Sequence, residues 1–89
     1  MKVTATGTGE SDVLDLPAGS DFVLSFQCSA NYSLDLQVGP EWADAYDGND
    51  NKVTITQAGK QHVRVTGGQR YRMDVDTYNS DIVMTARQA

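Results

Sequence analysis

The sequence predicts an all-β fold: a single small antiparallel β-sandwich or jelly roll of about eight strands. Short runs in which apolar and polar residues alternate recur along the whole chain, and clusters of Gly, Pro, Asn, Asp and Ser separate them. The longest helix-compatible stretch, residues 41–46, is too short to stand alone as a helix. The 89 residues are therefore expected to form one domain, residues 1–89.

Four strands are predicted in the first half of the chain, over residues 2–7, 12–16, 21–29 and 32–38. Each has apolar residues two apart that would face a core: Val3 and Ala5; Leu14 and Leu16; Phe22, Leu24 and Phe26; Leu34 and Leu36. The third strand is apolar on both faces around Val23, which predicts a central place in a sheet. Ala30 and Asn31 form a tight turn, so the third and fourth strands are predicted to pair as a hairpin.

Four more strands are predicted in the second half, over residues 52–57, 60–66, 69–76 and 80–87. Their inward residues would be Val53 and Ile55; Val63 and Val65; Tyr71, Met73 and Val75; Ile82 and Met84. Ala58 and Gly59 are predicted to turn the chain so that residues 60–66 run back along residues 52–57. Gly67-Gly68 reads as a hairpin-like link, and the last two strands are predicted to close the domain as a hairpin. Between the halves, Gly39-Pro40 breaks the pattern and Trp42 is expected to anchor the segment that follows.

Charge and hydropathy argue against two classes of partner. The formal net charge is -5, whereas binding to nucleic acid phosphates needs clustered Lys and Arg. The only close basic pair, Arg70 and Arg72, shares one face of a predicted strand, where a solvated or salt-bridged surface is the ordinary interpretation. No apolar run approaches the roughly 18 residues of a membrane helix, and no signal peptide is recognised. No nucleic acid and no membrane partner are therefore expected.

The chemistry-bearing residues predict no catalytic site, no cofactor and no enzyme activity. Cys28 alternates with Leu24 and Phe26, which is typical of a small buried hydrophobe, and a single thiol fits synthesis in a reducing cytoplasm. His62 is the only histidine, so a Ser–His–Asp set can be drawn but no sequence motif fixes its geometry. Zinc sites need more His and Cys than the chain has.

The acidic segment from Asp44 to Asn51 contains residue types that bind calcium. Asp47, Asn49 and Asn51 alternate as at the start of an EF-hand loop, but Lys52 stands where that loop needs Gly, and Ala58 where it needs Glu. A looser site built from Asp44, Asp47 and Asp50 stays open as an alternative. The plain interpretation is a solvated turn, because Asp, Asn and Gly are the residues that turns use, and no metal site is predicted.

Three aromatic residues lie near predicted turns: Trp42, Tyr46 and Tyr78. Flat rings with a polar tip could form a platform on which sugars stack, as in a carbohydrate-binding β-sandwich. The alternative is that Trp42 packs at the edge of the core or in a subunit interface. The two interpretations differ in whether Trp42 and Tyr46 lie exposed side by side or are buried at a protein contact.

Roughly residues 20–87 resemble small virion proteins of tailed phages, and the segments that carry the resemblance are residues 32–38, 41–46, 53–56 and 68–84. In that family a strand ending in Leu-Gln-x leads to a Trp-containing turn, as it does here before Trp42. A later strand reads Tyr-Arg-x-x-Val, as from Tyr71, and is followed by Tyr-x-Ser-Gly and a final strand. Here Asp81 stands where the family has Gly, so the last turn is expected to differ.

The resemblance implies a non-enzymatic structural protein of the virion, made in the host cytoplasm. Within that class, a head decoration or cement protein is favoured: a small protein, often a homotrimer, that clamps neighbouring capsid subunits. Its partners would be the phage major capsid protein or other virion proteins. A tail or head-fibre adaptor is a close variant, and a carbohydrate-binding module is the alternative from another class. Because aromatic and Arg residues dominate interface hot spots, we expect the interface at Trp42, Tyr46, Arg70, Arg72 and Tyr78.

Overall fold

The computed structural model describes all residues from Met1 to Ala89 and contains ten β-strands and no helix. The strands are β1 (Lys2–Ala5), β2 (Gly9–Glu10), β3 (Leu14–Asp15), β4 (Asp21–Gln27), β5 (Ser33–Val38), β6 (Ala43–Asp44), β7 (Thr54–Thr56), β8 (His62–Thr66), β9 (Arg70–Thr77) and β10 (Ile82–Gln88). The prediction of an all-β fold is confirmed. The two-residue strands β2 and β6 were not predicted, because a period of two cannot be recognised in two residues.

The strands form two antiparallel sheets. Sheet A has the order β1-β10-β4-β8. In sheet B, β9 pairs with β5 at the centre, the short strands β2 and β3 both pair with the outer side of β9, and β6 and β7 both pair with the outer side of β5. If each short pair is regarded as one interrupted strand, both sheets have four strands.

The chain changes sheet at most of its links. It passes from sheet A to sheet B and back between β1 and β2, β3 and β4, β4 and β5, β7 and β8, β8 and β9, and β9 and β10. Only β2 to β3 and β5 through β7 remain within one sheet. With each short pair regarded as one strand, the two strand orders are those of an eight-stranded jelly roll, which is the second of the two predicted architectures.

The predicted hairpins are wrong, because each of those turns carries the chain from one sheet to the other. β4 and β5 do not pair, and neither do β7 and β8, β8 and β9, or β9 and β10. The alternation of apolar residues requires only that one face of each strand is buried. Two strands joined by a short turn meet that requirement side by side in a hairpin or face to face across a sandwich. The expected central place of β4 is confirmed, since it lies between β10 and β8.

The core between the sheets is built from hydrophobic residues. It contains 17 buried hydrophobic residues and no buried polar or charged residue. Most residues that the alternation placed inward are buried, but Val38, Val63, Val65 and Ala86 are only partly buried; Val63 and Val65 lie on the edge strand β8. Cys28 is also partly buried against this core. The burial of these hydrophobic side chains therefore holds the two sheets together, and no buried charged group contributes.

The link between β8 and β9 lies against the loop between β3 and β4. The Gly67 N–H donates to the Ser20 carbonyl (2.9 Å), and the Gly68 N–H donates to the carbonyls of Leu16 (2.9 Å) and Pro17 (3.0 Å). A Cβ atom on Gly67 would lie 2.2 Å from the Ser20 oxygen and 2.4 Å from the Pro17 oxygen. Glycine is therefore required at this position by the close approach of two backbones.

We predict that Gly67→Ala destabilises the fold by about 3 kcal/mol, because the backbone of one of the two loops must shift to admit the methyl group. Gly7→Ala is the matched control, since nothing lies within 4 Å of a Cβ there. Urea unfolding followed by circular dichroism measures both. Equal free energies of unfolding for the two variants would contradict the assignment.

One buried polar atom lacks a partner. Tyr32, at 2% exposure, lies just before β5, and its hydroxyl makes no hydrogen bond. Burial raises the pKa of the Tyr32 hydroxyl above its usual value. The Tyr71 hydroxyl differs, because it donates to the Thr66 carbonyl at 3.0 Å. The ring of Tyr32 thus supplies core volume, while its hydroxyl is desolvated without compensation.

We predict that Tyr32→Phe stabilises the protein by about 1 kcal/mol, because it removes an unpaired buried hydroxyl and keeps the ring. Tyr71→Phe should have the opposite sign, with a loss of about 1 kcal/mol, because it removes a hydrogen bond. Thermal unfolding of the two variants beside the parent protein gives the comparison. A loss of stability in Tyr32→Phe equal to that in Tyr71→Phe would show that the Tyr32 hydroxyl has a partner.

Candidate functional site

The turn between β5 and β6 places the single tryptophan on the outer face of sheet B. Trp42 has a left-handed backbone conformation, with φ of 59°. Its ring folds back over Gly39, where a Cβ atom would lie 3.2 Å from the Cη2 and Cζ2 atoms. Trp42 is half-buried. Because Gly39 has no side chain, the Trp42 ring can pack against its backbone. This contact fits the predicted role of Trp42 as an anchor of the turn.

Two arginines on the neighbouring strand β9 lie against this ring. Arg70 and Arg72 both point to the outer face of sheet B, because the residue between them, Tyr71, points into the core. The guanidinium carbon of Arg72 is 4.3 Å from the centroid of the Trp42 ring, and that of Arg70 is 5.7 Å away. Both distances are in the range of cation–π attraction. Trp42, Arg70 and Arg72 are called the Arg–Trp cluster below.

Arg72 is the most firmly held member of the cluster. Its Nε donates to the Gln37 Oε1 at 2.8 Å, and its terminal nitrogen lies 3.8 Å from a Glu10 carboxylate oxygen. Only 20% of its side chain is exposed. Arg70 is 53% exposed and has an ion pair with Asp15 at 3.3 Å. The predicted salt-bridged strand face is therefore present, with an aromatic ring packed against it.

The ion pairs continue across the outer face of sheet B to its other edge. The Lys52 amine lies 3.4 Å from an Asp35 carboxylate oxygen and 4.0 Å from one of Asp44. The hydrogen bond to Asp35 and its negative charge, with a smaller contribution from Asp44, raise the pKa of Lys52 above its usual value. Exposed pairs of this kind contribute little to stability, so this part of the face is a solvated charged surface.

The other two expected interface residues lie outside the Arg–Trp cluster. Tyr46 is 61% exposed in the edge segment that follows β6, where it forms an isolated β-bridge with Lys52. Tyr78 follows the far end of β9, about 25 Å from Arg70 at a rise of about 3.3 Å per residue, and its hydroxyl donates to Asp81. The structure therefore brings together three of the five residues, and neither Tyr46 nor Tyr78 is part of the cation–π contacts that join them.

The ring of Trp42 has intramolecular contacts that bear on the sugar-platform alternative. A stacking platform needs bare ring faces. Arg72 and Gly39 lie against the Trp42 ring, whereas Tyr46 is exposed. The Trp42 ring is therefore in contact with an arginine cation, whereas the Tyr46 ring is exposed, so the two do not form a platform of two bare rings.

The residues that could carry hydrolytic or redox chemistry are not assembled. The Nδ1 of His62 lies 3.1 Å from the Ser25 Oγ on the exposed outer face of sheet A, and no carboxylate is hydrogen-bonded to His62. The Cys28 Sγ donates to the Ser80 carbonyl at 3.4 Å and is not hydrogen-bonded to His62. A serine and a histidine on an open sheet face lack both the orienting acid and the enclosed cleft of a hydrolase.

The acidic segment forms a turn and ion pairs. The Asp47 Oδ1 accepts from the N–H groups of Asn49 (2.9 Å) and Asn51 (3.0 Å), and these bonds hold the pKa of Asp47 below its usual value. The other oxygen of Asp47 lies 3.8 Å from the Lys60 amine, and Asp44 is paired with Lys52. No group of three His, Cys, Asp or Glu side chains is placed to hold a metal ion.

A cleft of about 590 Å³ opens between the β8 edge of sheet A and the β6–β7 edge of sheet B. It is called the open cleft below. Its apolar lining comes from both sheets and consists mainly of Leu36, Val38, Ala45, Val53, Val63 and Val65. The sequence did not indicate this feature, because strand order decides which edges face each other and strand order is not a local property.

Comparison of the chain with models of known protein families, with curated proteins and with solved structures found no match. The structure contains no helix of the length and apolar character needed to cross a membrane.

We predict that Arg72→Ala lowers the stability of the fold by about 1 kcal/mol, because the cation 4.3 Å from the ring is lost. Arg70→Ala should cost no more than about 0.5 kcal/mol, since Arg70 is farther from the ring and more exposed. Trp42 is the only tryptophan, so its fluorescence reports directly on the cluster. Arg72→Ala should shift the emission to longer wavelength, and a larger shift in Arg70→Ala would reverse the assigned roles.

Proposed function

We propose that this chain is a non-enzymatic structural protein of a tailed-phage virion, a capsid decoration or cement protein that binds the shell and stabilises it. The resemblance of roughly residues 20–87 to small virion proteins of tailed phages suggests the class. The jelly roll is compatible with it, because viral capsid domains commonly use this architecture. Since a fold alone does not imply a function, the surface must carry the argument.

The observation that carries the proposal is the Arg–Trp cluster. Arg and Trp are enriched among the few residues that supply most of the energy of a protein interface. Here Arg72 is held before any partner arrives, by the Trp42 ring, the Gln37 amide and the Glu10 carboxylate. A side chain that is already ordered loses less conformational entropy on binding. The cluster therefore has the composition and the rigidity of a protein-binding hot spot.

A non-enzymatic role fits the rest of the molecule. No Asp, Glu, His, Lys or Arg side chain is buried in the core, so none of these groups has the desolvated environment that catalytic acids and bases use. The Ser25–His62 contact lies on an exposed sheet face. The distribution of its side chains therefore favours a protein that functions by binding a partner through its surface.

A cement protein acts by mass action. A protein that binds the assembled shell and not its separated subunits stabilises the shell by its binding free energy, and many copies multiply the effect. The proposed partner is therefore the major capsid protein, with other virion proteins as variants, and the proposed location is the virion. A homotrimer is the favoured assembly, because one small jelly roll buries limited surface alone.

The experiment is a sedimentation assay with shells of the phage that encodes the chain, stripped of their decoration. The parent protein should co-sediment with the shells and raise the temperature at which they open. Trp42→Ala and Arg72→Ala should weaken binding about 30-fold, as expected for hot-spot residues. Arg87→Ala is the matched control, because Arg87 is exposed on β10 in sheet A, away from the Arg–Trp cluster.

Two results would count against the proposal. If the parent protein does not co-sediment with stripped shells at micromolar concentration, the decoration function fails. If Arg87→Ala weakens binding as much as Arg72→Ala does, shell binding stands but the Arg–Trp cluster is not its site. Light scattering of the free protein tests the trimer separately, against a chain mass of 9.7 kDa.

A further inference from the structure

The free edge of β8 is the starting point. β8 (His62–Thr66) pairs with β4 on one side and with nothing on the other. It has five residues, whereas the other edge strands β1, β2, β3, β6 and β7 have two to four. Short or interrupted strands protect a sheet edge against pairing with other chains. β8 is the longest edge strand and lacks that protection.

The register shows which backbone groups of β8 are free. The Phe26 N–H donates to the Gln61 carbonyl, and the Gly67 N–H donates to the Ser20 carbonyl. Hydrogen-bonded pairs alternate along an antiparallel ladder, so Val63 and Val65 also exchange their bonds with β4. The peptide groups of the residues between them therefore point to the open side; these are His62, Arg64 and Thr66.

Five of those six backbone groups have no partner. The exception is the Thr66 carbonyl, which accepts from the Tyr71 hydroxyl. Five groups remain unpaired: the N–H and C=O of His62, the N–H and C=O of Arg64, and the N–H of Thr66. The three residues are spaced two apart along the edge of β8. This spacing is the one that an added strand requires.

The open cleft lies beside this edge. Val63 and Val65 point inward from β8 but stay half-buried, and they line the cleft with Val38, Ala45 and Val53 of the opposite sheet. A strand added to β8 would extend sheet A over the cleft. Its alternate side chains would then point into the cleft and cover these apolar residues. The unpaired backbone groups of β8 and the apolar lining of the cleft are two independent observations, and both fit an added β-strand.

The charges of the cleft indicate which chain would supply that strand. Asp21, Asp44 and Asp47 line the cleft, and Arg64 is the only basic residue among its lining residues. Arg64 is paired with Asp21 at 3.2 Å, whereas Asp44 and Asp47 have only longer, solvent-exposed pairs with Lys52 (4.0 Å) and Lys60 (3.8 Å), which contribute little. A second copy of this chain would bring the same aspartates and its own net charge of -5 to this edge. A strand with basic residues is complementary to it.

We propose that β8 is a strand-accepting edge: it binds an extended segment of a partner protein, with aliphatic side chains at alternate positions inserted into the open cleft and basic residues facing Asp44 and Asp47. This is recognition by strand addition, in which the backbone supplies affinity and the cleft supplies selectivity. The inference rests on the proposed function only for the identity of the donor, which would then be a virion protein.

The test uses a synthetic peptide of alternating valine and threonine with a lysine at each end, titrated into the isotopically labelled full chain and followed by NMR. The expected result is saturable binding with a dissociation constant below about 1 mM. The amides of His62, Arg64 and Thr66 should shift and exchange with solvent at least tenfold more slowly. The amides of Val63 and Val65, already bonded to β4, should show no comparable change in exchange.

Arg64→Pro and Arg64→Ala form the matched pair of variants. Both lose the Arg64 side chain and its ion pair with Asp21, but only proline removes the free N–H, and proline is tolerated on an edge strand whose N–H faces solvent. Arg64→Pro should therefore weaken peptide binding at least tenfold, and Arg64→Ala should bind as the parent protein does. If Arg64→Pro does not fold, a peptide with N-methylated backbone amides removes the same bonds from the other side and should not bind.

Three results would overturn the inference. They are no saturable binding of the parent peptide, binding of the N-methylated peptide at equal affinity, or protection of the same amides by self-association of the chain without peptide, which would make a second copy the occupant. Hydrogen exchange of the chain on stripped shells separates this inference from the decoration function. If the chain binds the shells while the His62, Arg64 and Thr66 amides stay unprotected, the function stands and strand addition fails.

Discussion

The packing of two apolar sheet faces against each other is the interaction on which the rest of this molecule depends. All 17 buried hydrophobic residues belong to one cluster, and no charged side chain is buried among them. A chain of 89 residues has little other means of offsetting the conformational entropy that it loses on folding. Because the interior is filled by hydrophobic residues, the polar and charged side chains lie on the outer faces and at the edges of the sheets. The Arg–Trp cluster and the strand-accepting edge are the two places where that surface departs from ordinary solvated side chains.

The geometry of the Arg–Trp cluster is determined by the pairing of β5 with β9. Gln37 lies directly opposite Arg72 in the pairing of β5 with β9, so the hydrogen bond between their side chains follows from the register. The turn after β5 then returns Trp42 over Gly39 and against the same arginine. The core fixes that register, because a slip of one residue would turn Tyr71 and Met73 outward. The position of a surface cation is therefore determined by apolar residues on the other side of the sheet.

The sequence allowed the inward residues and the all-β class to be predicted, because both depend on alternation along a single strand. It also placed Arg70 and Arg72 on one face. It did not allow the pairing to be predicted: the turn at Ala30 and Asn31 suits a hairpin and a crossing between sheets equally well. The contact of Trp42 with Arg72 depends on a left-handed backbone at Trp42 and on the order of β5 and β9, neither of which is a periodic property. The open cleft was missed for the same reason, since it exists only where two particular edges meet.

The pairing of β1 with β10 and of β10 with β4 has a consequence for the way the chain is made. Sheet A joins residues from the beginning, the first third and the end of the sequence, and β10 is the strand that connects them. On a ribosome, β1 and β4 emerge long before the strand that will lie between them. The apolar faces of β1 and β4 must stay partly uncovered until β10 has emerged, and topologies built on such distant pairings fold slowly. Sheet A is therefore expected to form only after β10 has left the ribosome.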